Sequence, residues 1–171
     1  AQGLGHAGVI TRRIMAVVVD RLSRAVPGVD AELYPERPEL YTLRHPKGAL
    51  LVDFRAGRYE EPRTMGLMAQ ERRLELGITA VARGLHDSTG AVPLLDAARL
   101  ALLGWRPDDG ETLADPFFVV AERYVGQSAG LWFYELVVAT RHMVLEARDT
   151  ADGPGITRIS VDYGFEEVDI S

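Results

Sequence analysis

Apolar positions between residues 9 and 26 recur at helical spacing. Ile10, Ile14, Val17, Val18, Leu22 and Ala25 share one face, while Arg12, Arg13, Asp20 and Arg24 fall elsewhere. This predicts an amphipathic helix with Thr11 capping its first turn and Pro27-Gly28 ending it. A short strand is expected at 31–34, where Pro35 and Pro38 then forbid a regular ladder. In 48–55 the pattern alternates: Leu50, Val52 and Phe54 face one way, and Leu51, Asp53 and Arg55 the other. The run 72–83 repeats it, with Leu74, Leu76, Ile78, Ala80 and Ala82 opposite Arg73, Glu75, Thr79 and Arg83. These two runs predict a half-buried antiparallel pair. Between them, 56–71 is crowded with Gly, Pro, Arg and Glu and reads as a long loop of the kind that usually has a job.

Helical spacing returns in 86–104. Ser88 or Thr89 is the expected cap, Pro93 sits in the first turn and Gly104 closes the element. The runs 117–125 and 131–146 predict a second hairpin around 126–130. Its last strand is apolar on both faces, which predicts a central position. After an Asp, Gly and Pro linker at 150–155, residues 156–170 alternate again. The expected organisation is a loose N-terminus at 1–8, a domain at 9–148 and an acidic extended arm at 149–171. The fold class is α+β: a two-layer domain with an antiparallel sheet and two helices on one face, plus the C-terminal arm.

Charge sharpens this division. The net charge of the 171-residue chain is −6. Six acids against Arg158 give the arm −5, which leaves the body near neutral. A near-neutral body argues against a general phosphate-binding surface. There is no cysteine, which excludes disulfides and thiolate metal sites. No apolar run is long enough to span a bilayer as a helix, so no membrane partner is expected, and no secretory leader is evident.

Catalytic chemistry finds few candidates. His6, His45, His86 and His142 lack metal-ligand spacing. His45-Pro46 reads as a turn and His142 as a strand surface residue. His86-Asp87-Ser88 contains triad residue types, but consecutive residues cannot form a triad alone, and capping is the expected role. The carboxylate pairs Glu60-Glu61, Asp108-Asp109 and Glu166-Glu167 read as solvated surface rather than two acids across a cleft. The expectation is no catalytic residue, no metal and no cofactor.

Contact residues are easier to name. Tyr59 stands among Arg58, Glu60, Glu61 and Arg63, a mixture suited to a contact loop and equally to a mobile hairpin. Trp105 lies just past a helix end. Large side chains on both faces of the second hairpin need cover that two helices on one side do not supply, so the second face is expected to meet another subunit. The arm, carrying Ile159, Val161, Tyr163 and Phe165, either folds back as an edge strand, stays disordered, or adds a strand to a neighbour's sheet.

With these residues in hand, the chain resembles a Mu-like bacteriophage and prophage tail protein family. The matching segments are Leu33-Tyr34-Pro35, 43–49, Arg58-Tyr59 with Glu61-Pro62, Gln70-Glu71-Arg72, 89–103, and the hairpin from Glu122-Arg123-Tyr124 to Arg141. The element order is similar to that of tail terminator (tail completion) proteins. The resemblance implies a structural subunit of a hexameric ring at the head-proximal end of a virion tail, assembled in the host cytoplasm. Such a ring stops growth of a contractile tail. Its implied partners are copies of itself, the tail tube protein, the sheath protein through the C-terminal arm, and neck or connector proteins. DNA would pass through the hole without specific binding, and six copies at −6 suit a lumen that repels phosphate. A neck or connector component is a second structural reading. A small-ligand-binding or enzymatic α+β domain is a third, from another class.

Overall fold

The computed structural model describes residues 7–64 and 66–147. The chain runs α1 (Ala7–Ala25), β1 (Asp30–Leu33), β2 (Ala49–Tyr59), β3 (Arg63–Thr64), β4 (Met68–Ala82), α2 (Ala91–Leu102), β5 (Phe118–Ser128) and β6 (Leu131–Leu145). The strands form one sheet in the order β1-β2-β4-β6-β5, with β3 paired to β4. The α+β expectation holds: both helices lie on one face of a mostly antiparallel sheet. Ile14, Val18 and Leu22 of α1 and Leu94, Leu95, Ala98 and Leu102 of α2 pack with Leu50, Val52, Leu74, Leu76, Ile78, Leu136 and Val138. Each such fully buried side chain contributes about 1.5–3 kcal/mol relative to exposure.

One pairing departs from the expected antiparallel pattern. β1 runs parallel to β2, in register from Asp30 opposite Ala49 to Leu33 opposite Val52. Parallel neighbours need a long crossover, and residues 34–48 supply it. This connection crosses the sheet on the side away from the helices. There Leu43 and the half-buried Tyr34 and Tyr41 pack with Leu51, Val81, Leu131 and Phe133.

The long loop expected at 56–71 is mostly strand. β2 continues to Tyr59 opposite Arg72, and β4 begins at Met68. A register shift between Phe54 and Ala56 breaks the alternation there, which is why the run looked finished at Arg55. The helices also start differently than expected. Thr11 is inside α1 rather than at its cap, and its hydroxyl accepts a bond from Arg72 Nη1 at 2.8 Å. α2 starts at Ala91 behind Gly90, with no side-chain cap. The Ala91 and Val92 N–H groups donate instead to the carbonyls of Gly84 and Leu85, so neither Ser88 nor Thr89 is needed. Gly104 stops this helix as expected, at φ 76°.

Candidate interaction surfaces

The helix-free face of the sheet holds the most unusual side chains. Glu135 on β6 is fully buried, and its carboxylate takes Arg123 Nε at 2.5 Å and an Nη of Arg55. Asp53 lies on the same arginine, 3.3 Å from its Nε. Asp53 Oδ1 and Glu135 Oε1 are buried and meet Arg55 as ion pairs without hydrogen-bond geometry. Burial pushes the Asp53 carboxyl above its ordinary range, Arg55 opposes the rise, and Glu135 adds to it. Gly77 makes room for this group from the middle of β4. A Cβ there would sit 2.5 Å from Arg55 Nε and 3.0 Å from Glu135 Oε1. Further along the same face, Glu75 is buried under Arg73 at 3.0 Å, and the Arg73 and Arg141 guanidiniums cover the Phe118 ring, each at 5.2 Å.

This arrangement corrects the expectation of an apolar second face awaiting a partner. The apolar part is confined to one end, where residues 34–48 already cover it. The rest is ionic, with the acids underneath and the arginines on top. Nothing in the alternation of 48–55 marked the Asp53 carboxylate as half-buried, with Oδ1 out of reach of water. The available signal was Gly77, a residue without a side chain in the middle of a central strand.

The Tyr59 region is split by the strand it belongs to. Tyr59 ends β2 and is 54% exposed. The Arg72 guanidinium lies over both the Tyr59 ring, at 5.9 Å, and the Phe54 ring, at 5.7 Å. Arg58 reaches toward Glu75 on the ionic face, at 3.8 Å. Arg58 and Tyr59 are therefore exposed on opposite sides of one ribbon. Glu61 and Arg63 lie at its tip and line a shallow groove with Glu60, Pro62 and Glu71. Trp105 stands apart from them. It stacks on Phe117 at 6.0 Å and 10°, with Arg21 over it at 5.6 Å, and packs against the helix-side core. Ile159, Val161, Tyr163 and Phe165 lie outside the described residues.

Two further residues differ from their expected places. His142 is buried, not on the surface, and its Nε2 has no hydrogen-bond partner. Burial pushes its pKa below the usual value, and the Met143 carbonyl opposes the shift. Residues beside β6 cover it, with Ala114 bridging to His142. Asp109 is also no solvated carboxylate. It accepts bonds from the Thr112 N–H at 2.5 Å, the Thr112 hydroxyl at 2.8 Å, the Glu111 N–H at 3.0 Å and Arg13 Nε at 3.1 Å. Burial raises its pKa, but these bonds outweigh it and hold the group at about 2. Asp109 pins the 109–112 turn to α1, a structural task. Among the described residues no three His, Cys, Asp or Glu side chains converge to hold a metal ion. No described helix is long and apolar enough to cross a membrane.

β5 is an outer strand of the sheet and pairs only with β6 among the described strands. Beside its start, Leu103 at the end of α2 is exposed, and β5 itself exposes Val120, Tyr124 and Val125. Arg99 ties helix to strand through Glu122 at 2.6 Å.

A search of curated proteins finds no match. Among solved structures, a chain from the virion of a native gene transfer agent (GTA) particle superposes with a TM-score of 0.53 at 13% identity. The match covers 82% of this chain and 100% of that one, and at this identity it speaks to the fold alone. A family model described as Gp37 protein matches residues 18–167, and the chain belongs to the Gp37 protein family.

Proposed function

We propose that this protein is a structural subunit of a phage-type virion, and within it a tail terminator that assembles as a hexameric ring. The observation that carries the reading is the superposition of an entire chain of a gene transfer agent virion on this fold. The surface supports it too. A ring closed by one repeated contact needs two different patches on each subunit. The β5 edge and the ribbon carrying Arg58, Tyr59, Glu61 and Arg63 lie in different parts of the fold.

In this reading the ring caps the head-proximal end of a contractile tail tube. It ends growth by presenting one surface to the last ring of the tube while failing to template another. Neck proteins meet its opposite surface, sheath subunits lie outside, and DNA passes through the hole. The subunit works by contact rather than by a reaction.

Negative-stain imaging and mass photometry of the full chain test this directly. Closed rings with a central hole, which co-sediment with purified tail tubes, are the expected result. A monomer at every accessible concentration, or a chain that binds no tube, overturns the terminator reading.

A further inference from the structure

The outer strand β5 has 11 residues whose far-side N–H and C=O groups meet no described strand. Natural edges of this length are usually covered, charged or short. Here two register shifts, between Val119 and Ala121 and between Tyr124 and Gly126, bracket a regular window at 121–124. Bulges at both ends disfavour indiscriminate stacking of strand on strand, yet the window leaves a register in which one added strand can pair.

The two sides of this edge differ. On the helix side, Glu122 and Tyr124 pair with Leu136 and Tyr134, and Leu103 stands at the end of α2 beside Gly104, whose N–H donates to the Phe117 carbonyl just ahead of β5. Leu103 is 55% exposed and Tyr124 54%. On the other side, Ala121 and Arg123 pair with Val137 and Glu135. An extended segment that fits would carry apolar side chains on one side and acids on the other. The sequence contains one of matching length at 156–166. Ile159, Val161, Tyr163 and Phe165 alternate there with Arg158, Ser160, Asp162, Gly164 and Glu166. The opposite sheet edge, β1, carries Asp30 and Glu32 and would repel it.

We propose that residues 156–166 of one subunit add as a strand to the β5 edge of a neighbouring copy, with the apolar side on Leu103 and Tyr124 and Asp162 beside Arg123. This rests on the ring reading and names the contact that closes the ring. A donor arm and an acceptor edge on each chain are the two different patches that closure requires. Residues 114–117 run along β6 between its end and β5, held by the Ala114–His142 bridge and the Asp115 N–H to the Arg141 carbonyl at 2.8 Å.

The absence of cysteine makes the test clean. Full chains carrying Ala121→Cys are mixed with full chains carrying Arg158→Cys, Ser160→Cys or Asp162→Cys and oxidised with glutathione disulfide. Directly opposed cross-strand positions bring Cβ atoms close enough for a disulfide. One of the three mixtures is expected to give a covalent dimer of the two different chains. Leu103→Asp with Tyr124→Asp is expected to lower its yield about tenfold, the effect of losing ~1.4 kcal/mol of binding. Both side chains are exposed, and a thermal melt checks that this variant folds. Rings without any inter-chain disulfide overturn the inference and leave the ring reading intact. A disulfide formed only within single chains carrying both cysteines, at dilution, assigns the arm to its own subunit and also overturns it. A chain that forms no ring fails the underlying reading instead.

Discussion

The two faces of the sheet hide side chains from water by opposite means. Under the helices, β2, β4 and β6 contribute a largely aliphatic layer of Leu50, Val52, Leu74, Leu76, Ile78, Leu136 and Val138, and α1 and α2 close over it. On the other face, Glu135 and Glu75 are as inaccessible as a core leucine, yet they are covered by arginines whose outer atoms stay wet. Apolar burial is non-directional and close to proportional to area, so it yields stability and tolerates variation in detail. A buried carboxylate loses its hydration and recovers it only through well-placed partners, so its net stabilisation is small and its geometric demand is high. The helix side thus holds the domain together. The ionic side sets how β2, β4, β5 and β6 lie against each other.

Removing one group from each face breaks this comparison most directly. Leu76→Ala empties a fully buried site beneath the helices and should cost about 2–5 kcal/mol, read as a drop in denaturant midpoint. Glu135→Ala should cost less, about 1–3 kcal/mol, because Arg55 and Arg123 keep contact with water when their partner is gone. Equal losses at the two positions would mean that the ionic face is part of the main core. His142→Gln addresses pH. The folded-state pKa lies below the unfolded value of 6.5, so stability is complete above pH 6.5 and is lost as pH falls below it, when the unfolded chain takes up the proton first. Melting temperatures between pH 7 and 5 should fall in the parent and fall less in the variant, and parallel curves would refute the buried site. The smallest effect is expected at the ribbon. Arg58→Ala with Tyr59→Ala should change stability by less than about 1 kcal/mol, since both side chains are largely exposed, while reducing ring formation in mass photometry. A large stability loss would place the ribbon inside the cooperative core.

Much of the helix side was legible in the chain. Spacing alone placed Ile14, Val18 and Leu22 on one stripe and Leu74, Leu76 and Ile78 on one strand face, because a one-residue slip would turn every such side chain to water. Errors collected where a local signal had two readings. The Gly, Pro and Arg between Ala56 and Glu71 looked like loop, but a bulge had only shifted the alternation, and Gly57 was needed for the Arg72 guanidinium, 2.9 Å from where its Cβ would be. His142 alternated correctly for a strand, and the covering segment at 113–115 is remote in sequence. Of the candidate contact residues, Arg58, Tyr59, Glu61 and Arg63 share one ribbon. Trp105 packs elsewhere against the core, joined to Phe117 by a contact with no local signature.

By itself, the sequence determined both helices and the cores of the main strands, the two-layer class, the face each helix buries and the separation of a near-neutral body from an acidic tail. All of these follow from periodicity and charge, which act over a few neighbouring residues. Tertiary structure alone decided that β1 runs parallel to β2, that Asp53, Arg55, Arg123 and Glu135 meet over Gly77, and that β5 is outermost among the described strands. These depend on which distant strands become neighbours. A charged residue on a strand is labelled polar by its chemistry, but whether it is wet or buried is set by the strand beside it.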